Sequence, residues 1–227
     1  MDFLPLKSYA KIVEDNALTI DWAEVVDKSE LNYIIGNPEF LGKKEQTKEQ
    51  KADLVACFDE KTKKVSNLDY VCGWYIKASK FIQNSNIRVA FVSTNSITQG
   101  EQPAILWTEM FKHDININFA YRTFNWSSEA TEKAKVHCVI IGFSTINTKD
   151  KLLFSDDSIK KVSNINPYLI DGENVLILYR NKPLYNVSKI TRGSEPNDGG
   201  YLSNYTEEQM LEITSNYPES KKVLYLA

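Results

Sequence analysis

Leu31-Asn32-Tyr33-Ile34-Ile35-Gly36-Asn37-Pro38-Glu39-Phe40 decides how the chain is read. Residues 31–35 are short, apolar and rich in strand formers, and Gly36-Asn37-Pro38 ends the run with turn residues, so a short buried strand is expected there. Asn37 is thereby expected at a strand's carboxyl end, a position suited to a ligand site.

Outward from this point, residues 47–58 read as a polar-faced helix. Residues 67–83 read as a longer one, with Asn67 as its N-cap, because Leu68, Val71, Cys72, Tyr75, Ile76 and Phe81 recur at roughly helical spacing. Residues 87–93 are apolar and β-rich enough for a central strand, residues 102–112 read as a further helix, and residues 115–121 and 136–143 as two more strands. This order predicts an α/β sheet closing on an antiparallel pair. Over residues 144–166 Ser, Asn, Asp and Lys surround one apolar patch at 152–154, which reads as a linker into a second unit. Residues 174–179 are a strand candidate, 192–200 a glycine-rich loop, and 206–215 open as a helix with an acidic first turn.

The 227 residues are 42% hydrophobic and 11% aromatic, enough for a buried core. No apolar run reaches the ~18 residues of a membrane span, and Met-Asp-Phe-Leu-Pro lacks the basic and apolar regions of a signal peptide. A folded, cytoplasmic protein without a membrane partner is expected. Cys57, Cys72 and Cys138 are scattered and odd in number, which suits neither a zinc site nor a disulfide framework; reduced, partly buried thiols are expected, and no metal site. A net charge of −3 gives no global basic footprint, so any contact with nucleic acid has to be local. Lys43, Lys44, Lys48 and Lys51, followed by Lys61, Lys63 and Lys64, read either as a solvated face or as a phosphate track.

Asn37-Pro38-Glu39-Phe40 resembles the Asn-Pro-Pro-Phe/Tyr signature of amino-methyltransferases. Alone, the tetrapeptide reads rather as a turn initiator followed by a core phenylalanine. The wider text bears on the choice. Residues 36–51, residues 67–75, Ala90-Phe91-Val92-Ser93-Thr94-Asn95-Ser96-Ile97-Thr98-Gln99-Gly100, Phe119-Ala120-Tyr121-Arg122-Thr123-Phe124 and Val136-His137-Cys138-Val139-Ile140-Ile141-Gly142-Phe143 are similar, in order, to the methylase region of MmeI-like fused restriction-modification enzymes. The resemblance spans residues 4–211, nearly the whole chain.

The resemblance implies a partial Rossmann-like, class I S-adenosylmethionine-dependent methyltransferase sheet, of mixed strands with an antiparallel end, followed by a C-terminal extension. Residues 1–145 would be the partial catalytic domain, and residues 146–227 a linker and the start of a target-recognition region. The implied reaction is methylation of adenine N6 in double-stranded DNA. An exocyclic amine is a poor nucleophile because its lone pair is delocalised into the ring, so the site must accept hydrogen bonds from both N–H groups. Asn37 Oδ1 and the Pro38 carbonyl would be those acceptors, and Phe40 would stack on a flipped base for ~1–3 kcal/mol. Carried over by position, Asn16 and Ala17 match the place where such enzymes contact the cofactor's adenine, although Asn16 also reads as a plain turn residue. Lys43 and Lys44 would lie beside the flipped base and Arg122 near phosphate, with Tyr121 and Phe124 lining the cleft or, for Phe124, packing in the core. His137 is read as a satisfied structural histidine with no catalytic role. Pro196-Asn197-Asp198-Gly199-Gly200 matches the family's bridge into target recognition, or is simply a turn.

Two departures from the family stand out. No Asp-Pro-Ala-Cys-Gly-Ser-Gly-like loop precedes Asn37, so most of a cofactor pocket is missing from this text. Glu39 replaces the second proline, which frees a backbone φ and adds a charge beside the catalytic segment. The expectations that follow are a chain cut at both ends, inactive alone, whose first strand is a sheet edge. That edge would pair with a second copy, or dock onto a separate amino-terminal cofactor-binding half in a complementation module. A third reading, in which Thr98-Gln99-Gly100 replaces the missing cofactor loop, has a single glycine to support it.

Overall fold

A computed structural model describes residues 11–126, 136–180, 182, 185–186 and 206–222. They fall into two compact units, Met1–Tyr179 and Arg180–Ala227. In the first, helix α1 (Trp22–Val25) precedes strand β1 (Tyr33–Gly36), then α2 (Lys48–Cys57), α3 (Cys72–Phe81), β2 (Arg88–Thr94), α4 (Gln102–Lys112), β3 (Asn116–Trp126), β4 (Val136–Ser144), β5 (Lys151–Ser155) and β6 (Ser158–Val162). The strands form one mixed sheet in the order β1-β2-β4-β3-β5-β6. β1 pairs parallel with β2 and β3 parallel with β5, whereas β2 with β4, β3 with β4, and β5 with β6 are antiparallel.

Local chemistry explains where most elements begin. Thr47 starts α2 through a reciprocal capping box: its hydroxyl accepts from the Gln50 N–H at 3.2 Å while Gln50 Oε1 accepts from the Thr47 N–H at 2.9 Å. The helix expected from residue 67 starts later, at Cys72. Asn67 instead ends a 3-10 turn (Val65–Asn67), and its side chain accepts from Lys43 Nζ at 2.6 Å. Val71 is the N-cap and supplies no side-chain cap; the turn leading into it is held by Asp69, which accepts from the Val71 N–H at 3.2 Å.

The pleat of β2 separates two faces. Val89, Phe91 and Ser93 are buried and lie in register with Phe143, Ile141 and Val139 of β4. Tyr75 of α3 lies across this face, stacked on Phe143 and edge-on to Phe91, with its hydroxyl 2.8 Å from Ser93 Oγ. The other face carries the rows Ile35–Ala90–Gly142–Phe119–Leu152 and Val92–Ile140–Tyr121–Phe154. It is more open, and a cavity of about 370 Å³ lies on it between Ile35, Arg88, Phe119 and Leu152. Gly142 is needed here because the Phe119 ring lies across it; an added Cβ would sit 2.0 Å from Phe119 Cε1.

Several expectations are corrected. The short first strand is not buried: Tyr33 is 61% and Ile35 77% exposed, because β1 is the sheet's edge, as also expected, and among the described residues only β2 flanks it. The segment read as a linker forms the β5–β6 hairpin, which extends the sheet beside β3. Residues 174–179 form no strand; Val175, Ile177, Leu178 and Tyr179 are exposed, and apolar β-formers without a pairing partner do not make one. His137 is exposed on β4 rather than buried. Cys57, Cys72 and Cys138 are free and buried. No helix among the described residues is long and apolar enough to cross a membrane. In the second unit, α5 (Glu207–Asn216) begins at Thr206 with a Thr206–Gln209 capping box, close to the expected start. The glycine-rich loop 192–200, with Pro196 to Gly200, lies outside the described residues.

Candidate functional site

Since β4 runs against both β2 and β3, those two strands run the same way, and β1 and β5 run with them. The carboxyl ends of β1, β2, β3 and β5 therefore share one edge of the sheet. In open α/β sheets this edge is where ligands bind.

Asn37-Pro38-Glu39-Phe40 leaves that edge directly from β1. Asn37 and Glu39 are exposed, Pro38 is half-buried, and Phe40 is half-buried against the hydrophobic core. Phe40 thus packs on the core while part of the residue stays exposed. The segment is fixed just beyond it, at Leu41. The Leu41 N–H donates to Asp69 Oδ1 at 3.0 Å, and the Leu41 carbonyl accepts from the Tyr70 N–H at 3.0 Å and from Gln46 Nε2 at 2.9 Å. Gln46 Nε2 also reaches the Leu68 carbonyl at 2.9 Å. Burial pushes the Asp69 carboxyl up from the ordinary carboxylate range, while hydrogen bonds from Val71, Thr94 and Leu41 pull it back down and the charge of Glu45 adds to the rise.

Asn16 closes a turn. Its Oδ1 accepts from the Leu18 N–H at 2.9 Å, its Nδ2 donates to Asp53 Oδ2 at 2.8 Å, and its carbonyl accepts from the Thr19 and Ile20 N–H groups. The turn is held against α3: Lys77 Nζ donates to the Leu18 and Ile20 carbonyls, and Leu18 packs so close to Gly73 that a Cβ there would meet its Cδ1 at 2.9 Å. Burial pushes the Tyr70 hydroxyl up most, followed by the charges of Asp53 and Glu39, while Asn16 draws it back down. Ala17 lines a cleft of about 530 Å³ with Ile12, Asp15, Trp22, Ile34 and Phe81, beside the edge strand.

Lys43 and Lys44 are exposed in the turn Gly42 to Glu45, close after the tetrapeptide. Arg122 is exposed on β3, where the register advances three residues from Tyr121 to Phe124 against two on β4, an extra residue that bulges the strand. Two strands separate β3 from β1, so Arg122 shares the edge but stands roughly 14 Å to the side at ordinary strand spacing. Tyr121 stacks on Phe154 and meets Phe124 edge-on. Sequence reasoning missed Asp69, Gln46 and Tyr70. The available signal was a charge set in the apolar run Leu68-Asp69-Tyr70-Val71, where a buried carboxylate requires partners.

A mixed α/β sheet that presents Asn-Pro-x-Phe from the carboxyl end of its first strand defines a Rossmann-like methyltransferase. The family described as MmeI, DNA-methyltransferase domain, matches residues 1–155. The chain belongs to that family. It is 46% identical over 219 residues to DNA methyltransferase A of Bacillus subtilis (strain 168), covering 95% of this chain and 25% of that protein. It is likewise similar to the solved structure of the Type IIL restriction-modification enzyme MmeI in complex with DNA, with 45% identity, a TM-score of 0.85, and coverage of 96% of this chain and 30% of that one. The chain thus spans between a quarter and a third of the length of these relatives.

Proposed function

We propose that this chain is the base-handling part of a site-specific DNA adenine-N6 methyltransferase of a restriction-modification system, and that on its own it does not transfer a methyl group. The observation that carries the reading is the Asn37 to Phe40 segment, presented at the sheet's ligand edge and pinned through Leu41. Asn37 Oδ1 and the Pro38 carbonyl accept from the adenine amine, and Phe40 offers its ring to the flipped base. Lys43, Lys44 and Arg122 are the groups that meet phosphate. That the similar MmeI structure is a complex with DNA supports duplex DNA as the partner. Residues 146–227 would lead towards target recognition.

S-adenosylmethionine is the donor this family membership suggests, and the described residues fit only part of it. The apolar cleft beside Ala17 suits the adenine end. The methionine end needs a glycine-lined backbone, and the first glycine of the sequence is Gly36, already inside β1. The test is calorimetric titration of the chain with S-adenosylmethionine, followed by an adenine-containing duplex. Absent heat with the cofactor and weak heat with DNA are expected; micromolar binding of the cofactor alone would mean a complete pocket and refute the inactive reading.

A second reading concerns assembly, and the exposure of Tyr33 and Ile35 on a strand that is paired on one side among the described residues favours it. An apolar edge with unpaired N–H and C=O groups recruits another strand. The strand supplying that pairing is either a cofactor-binding half or a second copy of this chain. In sedimentation velocity the wild type is expected to self-associate and Ile35→Lys to run as a monomer. A wild type that stays monomeric at high concentration would remove the homodimer from consideration.

A further inference from the structure

We infer that Asp69 is the positioning residue of the Asn37 to Phe40 segment, holding it in register with the carboxyl end of β2; the inference rests on the base-handling reading above. Asp69 is 3% exposed, yet it carries an ionisable side chain with donors from three different parts of the chain. Its Oδ1 accepts from the N–H of Leu41, the residue after Phe40, at 3.0 Å and from the N–H of Val71 at 3.2 Å. Its Oδ2 accepts from Thr94 Oγ1 at 3.1 Å, at the last residue of β2. Its own N–H donates to Gln102 Oε1 at 2.9 Å, at the start of α4.

The local turn that leads into α3 accounts for the Val71 bond alone. It does not account for the bonds to Leu41 and Thr94, which join the loop after β1 to the end of β2. Among the described residues Asp69 forms no ion pair, and the charge of Glu45 opposes its own. A buried carboxylate without a counter-ion is costly, and this one is compensated by hydrogen bonds that converge on the loop bearing Phe40. Gln46, 5% exposed, donates to the Leu41 carbonyl, so that the backbone N–H and C=O of this one residue are both bonded by buried side chains. A residue so held sets where the neighbouring Phe40 ring and Pro38 carbonyl stand.

The test uses the full chain, wild type and as Asp69→Ala, Asp69→Asn and Phe40→Ala, with two readouts. The first is the emission of 2-aminopurine placed opposite an abasic site in a short duplex, where leaving the stack is least costly. The second is amide hydrogen exchange at Leu41, compared with Tyr75 and Phe91 in the core. Asp69→Ala should weaken the emission response roughly tenfold, as Phe40→Ala does, and speed exchange at Leu41 while the core amides stay protected. Asp69→Asn, whose Oδ1 still accepts from Leu41 and Val71, should recover most of the response. An unchanged response in Asp69→Ala, or loss of protection throughout the core, would overturn the positioning role. A wild type with no response that Phe40→Ala can abolish would overturn the base-handling reading itself, and exchange at Leu41 would then report the clamp separately.

Discussion

Tyr75→Ala is expected to destabilise the first unit by about 3–5 kcal/mol, the range for truncating a fully buried aromatic side chain. Tyr75 has no exposed surface; its ring stacks on Phe143 at 5.4 Å and 20°, and meets Phe91 edge-on at 5.4 Å and 71°. These three rings join α3 to β2 and β4, so the cavity would open where the helix layer meets the sheet. Ser93 Oγ, also buried, would lose its 2.8 Å partner. Tyr75→Phe isolates that last loss and should cost about 1–2 kcal/mol, because a buried hydroxyl is left unsatisfied. Urea unfolding at constant m-value is the measurement, and a loss below about 1 kcal/mol for Tyr75→Ala would contradict this packing.

The same residue sets an alkaline limit. Burial pushes its hydroxyl far above the ordinary tyrosine range, with the Ser93 hydrogen bond opposing the shift. The folded state then keeps a proton that the unfolded state releases above a pKa of about 10. Stability is therefore fully present below that pH and falls as pH rises beyond it, and Tyr75→Phe should flatten the decline.

Asn37→Ala is expected to lower kcat for methyl transfer by about 10²–10³-fold once the chain acts together with a cofactor-binding half, the usual consequence of removing one preorganised polar contact to a reacting group. Because Asn37 is exposed, the unfolding free energy should move by less than about 0.5 kcal/mol, which separates chemistry from folding. Transfer of a labelled methyl group to duplex DNA is the readout. A rate within threefold of wild type would remove Asn37 from the proposed acceptor pair, leaving the Pro38 carbonyl to be tested by other means.

The parts of this fold that could be read from the text are those whose signal is local. Residues 102–112 carry a helical stripe and residues 87–93 a central-strand composition, and both elements lie within a residue of their expected bounds. Thr47, Gln50, Thr206 and Gln209 announce their helices through capping chemistry that needs only four consecutive residues. The site is legible to the same depth. Gly36-Asn37-Pro38 stops a strand wherever it is found, and Asn37 does stand at the carboxyl end of β1.

By itself, then, the sequence determined the type of its periodic elements, the turn that exposes Asn37, and family membership through an ordered set of short motifs. Only the tertiary structure decided that β4 lies between β2 and β3, and that the five-residue strands β5 and β6 join the sheet. Strand pairing is a choice among partners far apart in the chain, and a five-residue strand contains too little of its own periodicity to declare one. Asp69 shows the same limit at the site. Its bonds to Leu41 and Thr94 bridge 28 and 25 positions of sequence, a spacing no local pattern encodes, and they exist because folding brings three chain segments to one carboxylate that could not otherwise be buried.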